Sequence, residues 1–472
     1  MSGLLSSLAN SSGALRVHSK GLEVAGKNLA NINNRGYAKQ RVEIGDRGSI
    51  DTGIATESMG VEALGLRQNR DALLDKGVMR ELTSTSALEA AKKVLQSAET
   101  ALGQFLDRTK DSTSIQNAPG SNGGGISDAL GDFFNAWESF SVKPNDVGVK
   151  QLLIQKAQIL AEKFNSTDER LATVQSDVDA QIDTDLIEVN DILKNLAELN
   201  QAIGKAENVK PYSAVDLRDQ RQAKLEELSK YFDVSFSNIP DGNGQIEVTA
   251  RAVDGSSTIL VAGSAVPNDA TVTIDNTTGN FSFGGIEMDF SRGSLGAQVQ
   301  ARNGDVKAVR DQIADLASQL KTSVNSAYGR AFFAASTNDI PVTVDPSVTV
   351  SSLSATLTTN QGANEAALAV ARLANQVFST QAANKIDGTF IASFNSTVSQ
   401  LGQTLNTTNI RLEDQELSQE MAISNRDQYS GVSQDEEMTD LMKFQRSFQA
   451  SARHINVLDT LLEQVVNRLG VG

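Results

Sequence analysis

Cysteine is missing from all 472 residues, which excludes disulfides and thiolate metal sites whatever the redox compartment. Only two histidines occur, His18 and His454, too few ligands for a zinc centre of the usual kind. Aromatic side chains are sparse at 5%, with Trp137 the single tryptophan, while Ser, Thr, Asn, Gln and Ala abound. That balance suits long polar-faced helices better than a dense enzyme core. No run approaches the ~18–20 apolar residues of a membrane span, so no membrane insertion is expected. A cleavable leader is not legible either: no basic residue precedes Arg16, and Ser and Asn interrupt any apolar stretch. The expectation is a chain that stays in the cytoplasm or leaves by a route that reads no such peptide. Positive charge is also in deficit. The net charge is −16, and the excess of acid lies in the middle of the chain rather than at its ends. An acidic body argues against nucleic acid as a partner, because phosphate binding needs a basic face.

The signatures of catalysis are absent too. Acidic pairs such as Asp183 with Asp185 sit on polar helical faces, where solvation is the ordinary role. Neither a Gly-x-Ser-x-Gly elbow with a nearby histidine nor an H-E-x-x-H occurs. Ser121-Asn122-Gly123-Gly124-Gly125 lacks the Lys-Ser/Thr ending of a phosphate loop. Asp241-Gly242-Asn243-Gly244 lacks the closing Glu of a calcium loop and predicts a hairpin turn. Asp435-Glu436-Glu437 falls in the first turn of a helix, where the backbone dipole favours acids. No catalytic residue, cofactor or metal site is expected.

What the chain does have is a seven-residue repeat at each end. Leu8, Leu15, Leu22 and Leu29 recur every seven residues, with Leu4, Ser11, His18, Ala25 and Ile32 on the second line of the seam. At the other end Leu441, Phe448, Ile455, Leu462 and Leu469 keep the same interval, joined by Phe444, Leu458 and Val465. A sustained heptad must bury its seam against another helix. Two such seams predict that the termini meet each other and further copies of the chain. His18 on the seam fits a residue that sets register better than one that binds a ligand.

Between the ends, residues 33–66 lose helical period and gain glycine, predicting hairpins or an extended linker. Helices are expected at about 70–105, 126–140, 145–165, 168–204 and 213–231. From Phe232 the pattern alternates: Val234 and Phe236; Ile246 and Val248; Ile259 and Val261; Val272 and Ile274; Phe281 and Phe283; Ile286, Met288 and Phe290. That is a compact antiparallel β module. Helical period returns over 296–335, the Thr/Ser/Val-rich stretch 339–360 reads as strands or an extended arm, Asn364 is placed to cap a helix through Phe378, and another helix covers 386–426. After a break at Tyr429–Val432, Ser433 and Glu436 form an S-x-x-E capping box opening the last helix. The fold class is therefore α+β and multidomain: mainly α, with paired terminal coiled-coil helices, a helical body and an inserted antiparallel β module. The expected domains are 1–66 with 427–472 as a terminal helical part, 67–232 with 296–426 as the body, and 233–295 as a β-rich outer module.

Asn28-Leu29-Ala30-Asn31-Ile32-Asn33-Asn34-Arg35-Gly36-Tyr37-Ala38-Lys39-Gln40 resembles the N-terminal signature of the flagellar axial family of rod, hook and hook-associated proteins, approximately N-[IL]-A-N-x-x-T-P-G-Y-x-R-Q. Asn28, Ala30, Asn31, Gly36, Tyr37 and Gln40 match; Asn34, Arg35 and Lys39 depart from the pattern's Thr, Pro and Arg. Ser430-Gly431-Val432 with Asp435-Glu436-Glu437, and the run from Phe444 through Phe448-Gln449-Ala450-Ser451-Ala452-Arg453, are similar to the hook-associated branch. So are Phe133-Phe134-Asn135-Ala136-Trp137 and Asp219-Gln220-Arg221. The resemblance implies a structural protein at the hook–filament junction, outside the cell, assembling with itself through its terminal helices and exported without a cleaved signal. It implies as partners the flagellar hook protein, hook-associated protein 3 (FlgL), a chaperone of the FlgN type at the C-terminal helix, and the type III export apparatus. A hook or rod protein is the nearest alternative; a secreted coiled-coil adhesin, or a wall hydrolase riding on the flagellum, would be of another class.

Overall fold

The computed structural model of the chain describes residues 2–34, 36–51, 56–103, 125–209, 213–240, 242–335, 339–356 and 363–469. Ser121–Gly124 and Asp241, singled out above, lie outside them. In chain order the elements are α1 (Ser2–Ala30), β1 (Gln40–Asp46), β2 (Ser49–Asp51), β3 (Thr56–Ser58), β4 (Val61–Gln68), α2 (Ala72–Ala101), α3 (Ile126–Val142), α4 (Val147–Val209) and α5 (Val215–Ser229). There follow β5 (Val234–Asn238), β6 (Ile246–Arg251), β7 (Ser257–Ala262), β8 (Val272–Ile274), β9 (Phe281–Phe283), β10 (Ile286–Met288), α6 (Ser294–Gln300), α7 (Lys307–Tyr328), α8 (Glu365–Arg372), α9 (Phe390–Ser430) and α10 (Gln434–Leu469). The mainly helical α+β architecture, with long terminal helices and small antiparallel sheets, is as the sequence predicts.

The chain forms two compact units, each discontinuous in sequence: Met1–Ser86 with Leu186–Gly293 and Asp414–Gly472, and Ala87–Asp185 with Ser294–Glu413. In the first unit, β1 pairs antiparallel with β4, with a register shift between Glu43 and Ile44, and β2 pairs antiparallel with β3. The β module is two three-stranded antiparallel meanders, β5-β6-β7 and β8-β9-β10. They touch through an isolated bridge from Ala252 to Met288, and Phe290 stacks on Phe232 with ring centroids 4.0 Å apart. The alternation predicts Ile259 and Val261 on one face. A register shift between Val248 and Thr249 turns Leu260 inward and leaves Ile259 exposed, because a one-residue slip reverses the face of everything beyond it.

The second unit is built around aromatic rings. Phe133, Phe134, Trp137 and Phe140 fall on one face of α3 and are buried against Phe332, Phe333, Phe390 and Tyr328. The Phe133–Trp137 motif is thus a core motif, with Ala136 buried beside it.

Several element boundaries differ from the sequence reading: among them, α7 ends at Tyr328 rather than 335 and α9 continues to Ser430. The expected break at 165–168 does not exist, and α4 runs unbroken for 63 residues. Its polar Asn165 is not breaking the helix but bonding outward, donating to the Val342 carbonyl at 2.9 Å and accepting from the Val342 N–H at 2.7 Å. The described part of 339–360 holds no regular strand, only a bridge from Val344 to Phe333 and turns. There Thr349 and Ser352 bond their own neighbouring backbone, which competes with a β ladder. Asn364 precedes α8, but its amide donates to the Ser141 carbonyl at 2.8 Å instead of capping. The helix ends at Arg372, short of Phe378, whose backbone pairs with Gly388.

Phe133→Ala should empty the centre of the aromatic cluster and cost about 3–5 kcal/mol. The neighbouring Trp137, the sole tryptophan, reports the unfolding midpoint by fluorescence in urea. An unchanged midpoint would mean that the cluster closes over the gap.

Candidate functional site

The two terminal helices pack on each other antiparallel. Ser11 Oγ lies 2.9 Å from His454 Nδ1, Gly21 meets the ring of Phe444, and Asn28 meets Glu437, so residue numbers rise along α1 as they fall along α10. The predicted seam residues are distributed as follows. Leu4, Leu8, Leu15, His18, Leu22 and Leu29 are half-buried in the single chain, and Ile32 lies exposed past the end of α1. On α10, Leu441, Phe444, Phe448, Ile455, Leu462 and Val465 are half-buried and Leu458 is buried; the side chain of Leu469 lies outside the described set.

The line of deepest contact on α1 is a different one. Gly13, Val17, Gly21, Val24, Ala25 and Asn28 are buried, at spacings of three and four residues. Reading for leucines passes over them; the signal was the small residues at Gly13, Val17 and Gly21. Gly21 has a specific reason to be glycine, since a Cβ there would stand 2.6 Å from the Phe444 ring. What a propensity scale counts as a weak helix position is a notch for an aromatic knob. Outside the pair, Leu5, Met438, Met442, Val457 and Leu461 remain exposed, an apolar surface that α1 and α10 do not satisfy between themselves.

Below the helices, the Asn28–Gln40 signature folds into a polar hub. Asn28 is buried, and its amide donates to the Gln40 carbonyl (2.8 Å) and to Glu437 Oε2 (3.1 Å). Its Oδ1 accepts from the Tyr37 hydroxyl (2.9 Å) and the Gln40 N–H (3.0 Å). Asn31 donates back to the Lys27 carbonyl and accepts from Asn34, closing the turn after α1. Gly36 takes φ +91°, which only glycine holds without strain, and its carbonyl accepts from Arg70 Nη2 at 2.6 Å. Ala30 sits exposed on the last turn of α1. Lys39, where the family pattern has Arg, is buried with its ammonium 2.6 Å from Glu436 and 2.9 Å from Glu437. Its N–H donates to the Ser430 carbonyl at the end of α9. Ser433 stands one residue before α10, and its carbonyl accepts from the Glu437 N–H. The Glu436 carboxylate of the expected capping box is engaged by Lys39.

Charges extend the hub into α5. Asp216 accepts from Lys27 and, at 3.0 Å, from Gln40 Nε2. Arg70 bridges Asp75 and Asp219. Arg221 reaches the other way, to Asn200 Oδ1 (2.9 Å) and the Gly244 carbonyl (2.8 Å) of the β5–β6 turn. Asp219-Gln220-Arg221 thus ties the N-terminal turn and the β module to one helix.

Burial would depress the Lys39 ammonium, but Glu436 and Glu437 outweigh it and hold the group above its ordinary value. Lys39 in turn holds the Glu436 carboxyl low. Burial, then the carboxylates of Asp219, Asp216 and Glu437, push the Tyr37 hydroxyl upward, so it remains a donor to Asn28. Burial lowers the His18 imidazole, which lies against Phe444. The Arg221 guanidinium is brought down to about 10 by burial. Burial lifts the Asp219 carboxyl to about 6 despite the opposing pull of Arg70. Among the described residues no group of three or more His, Asp or Glu is placed to hold a metal ion, and no helix is long and apolar enough to cross a membrane.

The raised Asp219 carboxyl has a signed consequence. The folded state holds that proton more tightly than the unfolded chain, so this group's contribution is most favourable below about pH 4 and is lost as pH rises through about 6. Asp219→Asn removes the dependence. Between about pH 4 and pH 7 the stability difference should move by about 2 kcal/mol in favour of the variant, read from urea midpoints. Parallel pH profiles would refute the assignment.

The chain matches two family descriptions. Residues 112–335 match the flagellar hook-associated protein FlgK helical domain, and residues 424–469 match the C-terminal segment of the flagellar basal body rod FlgEFG proteins. Flagellar hook-associated protein 1 of Bacillus subtilis is 25% identical over 97% of both chains. The Escherichia coli and Salmonella typhimurium proteins of the same name are 25% and 26% identical over 70% of this chain, which spans only 58% and 57% of theirs. The solved flagellar hook junction protein FlgK of Burkholderia pseudomallei aligns at 18% identity over 55% of this chain and 47% of that one, with a TM-score of 0.44, too distant to add to the argument. The helical-domain match, the C-terminal match and an end-to-end relative agree, and together they support a flagellar hook-associated protein of the FlgK type.

Proposed function

We propose that this chain is a structural axial protein at the junction between hook and filament, assembling through α1 and α10. The observation that carries the reading is the helix pair itself. Its inner face is closed within one chain, while Leu5, Met438, Met442, Val457 and Leu461 stay exposed along its outside. An apolar strip on a coiled pair is stable in water only when another surface covers it. Neighbouring copies, the hook protein on one side and hook-associated protein 3 (FlgL) on the other, are its partners in the assembled state. Before export a FlgN-type chaperone covers α10, and the chain leaves through the type III apparatus without a cleaved signal. Residues 1–66 with 427–472 serve as the inner-tube part, 67–232 with 296–426 as the body, and 233–295 as the outer β module. The role is mechanical, with no catalytic step. The match of residues 424–469 to rod proteins keeps a position lower in the axis as the second reading.

Electron microscopy of a strain lacking the gene, with flagellin measured in the medium, separates the two. Hooks without filaments and flagellin lost to the medium are expected; missing hooks would move the protein down to hook or rod. Phe448→Asp would place a charge in the seam and should abolish incorporation while the circular dichroism of the purified protein stays unchanged. Normal filaments carrying that variant would mean that Phe448 takes no part in assembly.

A further inference from the structure

Both terminal helices carry seven-residue repeats, and a repeat can slide. Moving α10 by one heptad along α1 would set Phe448 and Ile455 against Val24 and Val17 in place of Val17 and Asn10, so apolar burial alone does not select the observed register. Two features break the equivalence. The Phe444 ring fits over Gly21, where any side chain would collide. Further along, Asn28, Lys39 and Glu437 are all buried and bond one another: Asn28 Nδ2 to Glu437 Oε2 at 3.1 Å, and Lys39 Nζ to Glu437 Oε1 at 2.9 Å. Sliding by a heptad would put Phe444 or Ser430 opposite Asn28 and carry Glu437 away from Lys39. A carboxylate left buried without its cation costs far more than a misplaced methyl group.

We propose that Asn28, Lys39 and Glu437 are the register key of the terminal helix pair. Their value lies in specificity: an apolar set of the same volume would hold the helices together as well or better, but in more than one alignment. The rival explanation is connectivity, since the Lys39 N–H also bonds the Ser430 carbonyl beside the α9–α10 corner and could fix the register through the chain itself. The inference concerns the chain's own two ends and does not rest on the junction reading.

Because the protein has no cysteine, an introduced pair reports alignment directly. In the full-length chain, Ser11→Cys with His454→Cys should be joined by a short bifunctional maleimide. Ser11→Cys with Ser447→Cys or with Leu461→Cys, one heptad to either side, should be joined at least roughly tenfold less. In the background Asn28→Leu/Lys39→Met/Glu437→Leu the shifted cross-links should rise at least roughly tenfold, with helical circular dichroism retained. Where that background fails to fold, the isosteric Glu437→Gln decides, and it should admit the shifted cross-links as a measurable minority. Shifted cross-links no more frequent than in the parent, in the folded triple variant or otherwise in Glu437→Gln, would overturn the key and give the register to connectivity.

Discussion

A buried side-chain amide has two protons and two lone-pair directions to satisfy, and Asn28 satisfies all of them within one chain. The four bonds reach β1, the Tyr37 turn and α10 at once. An apolar residue there could pack but could not dictate which of those segments came together. Around it Lys39 lies between Glu436 and Glu437, and Arg70 between Asp75 and Asp219, so that each of these cations is met by two carboxylates. The remainder of the first unit hangs from this arrangement. Arg221 carries it on to Asn200 and the β module, and the Ser430 carbonyl carries it to α9.

The helix pair above the hub works by a complementary principle. Its contact is narrow, made from small residues on α1 and large ones on α10, and it leaves apolar side chains on its outside. Close approach at Gly21 and unused surface at Met438, Met442, Val457 and Leu461 are two halves of one design. One fixes the intrachain partner; the other stays uncovered within the single chain.

Much of this was legible in the chain, and the boundary is physical. Period and turn chemistry are local, so the long helices, the strands of the β module and the meeting of the two heptad ends could be read from residue spacing. Faces and ends were less secure. The helix read as ending at 165 and restarting at 168 is continuous, and Asn165 within it bonds the Val342 backbone, a partner far along the chain. Ile259 was assigned to the wrong face because strict alternation does not show that Leu260 is an extra, unpaired residue within β7. At the site, motif matching singled out Asn28, Tyr37 and Gln40 without revealing that they bond one another or that Glu437 completes them. Lys39 stood out only as a departure from the pattern, and Arg70 attracted no notice although it joins Gly36, Asp75 and Asp219. Such long-range pairings are set by tertiary structure and leave no periodic trace.

The separation of Asn28 from Glu437 bears on when the protein can take shape. The two are 409 residues apart in sequence, and Lys39 is 397 from Glu436. A chain emerging from its N-terminus makes one half of this lock almost first and waits for nearly everything else before the other half exists. Until then α1 lacks its helical partner, and loop closure over so great a span is slow. The contacts between the two terminal helices are therefore among the last that the growing chain can make. The molecule stays open at its ends for most of its own production.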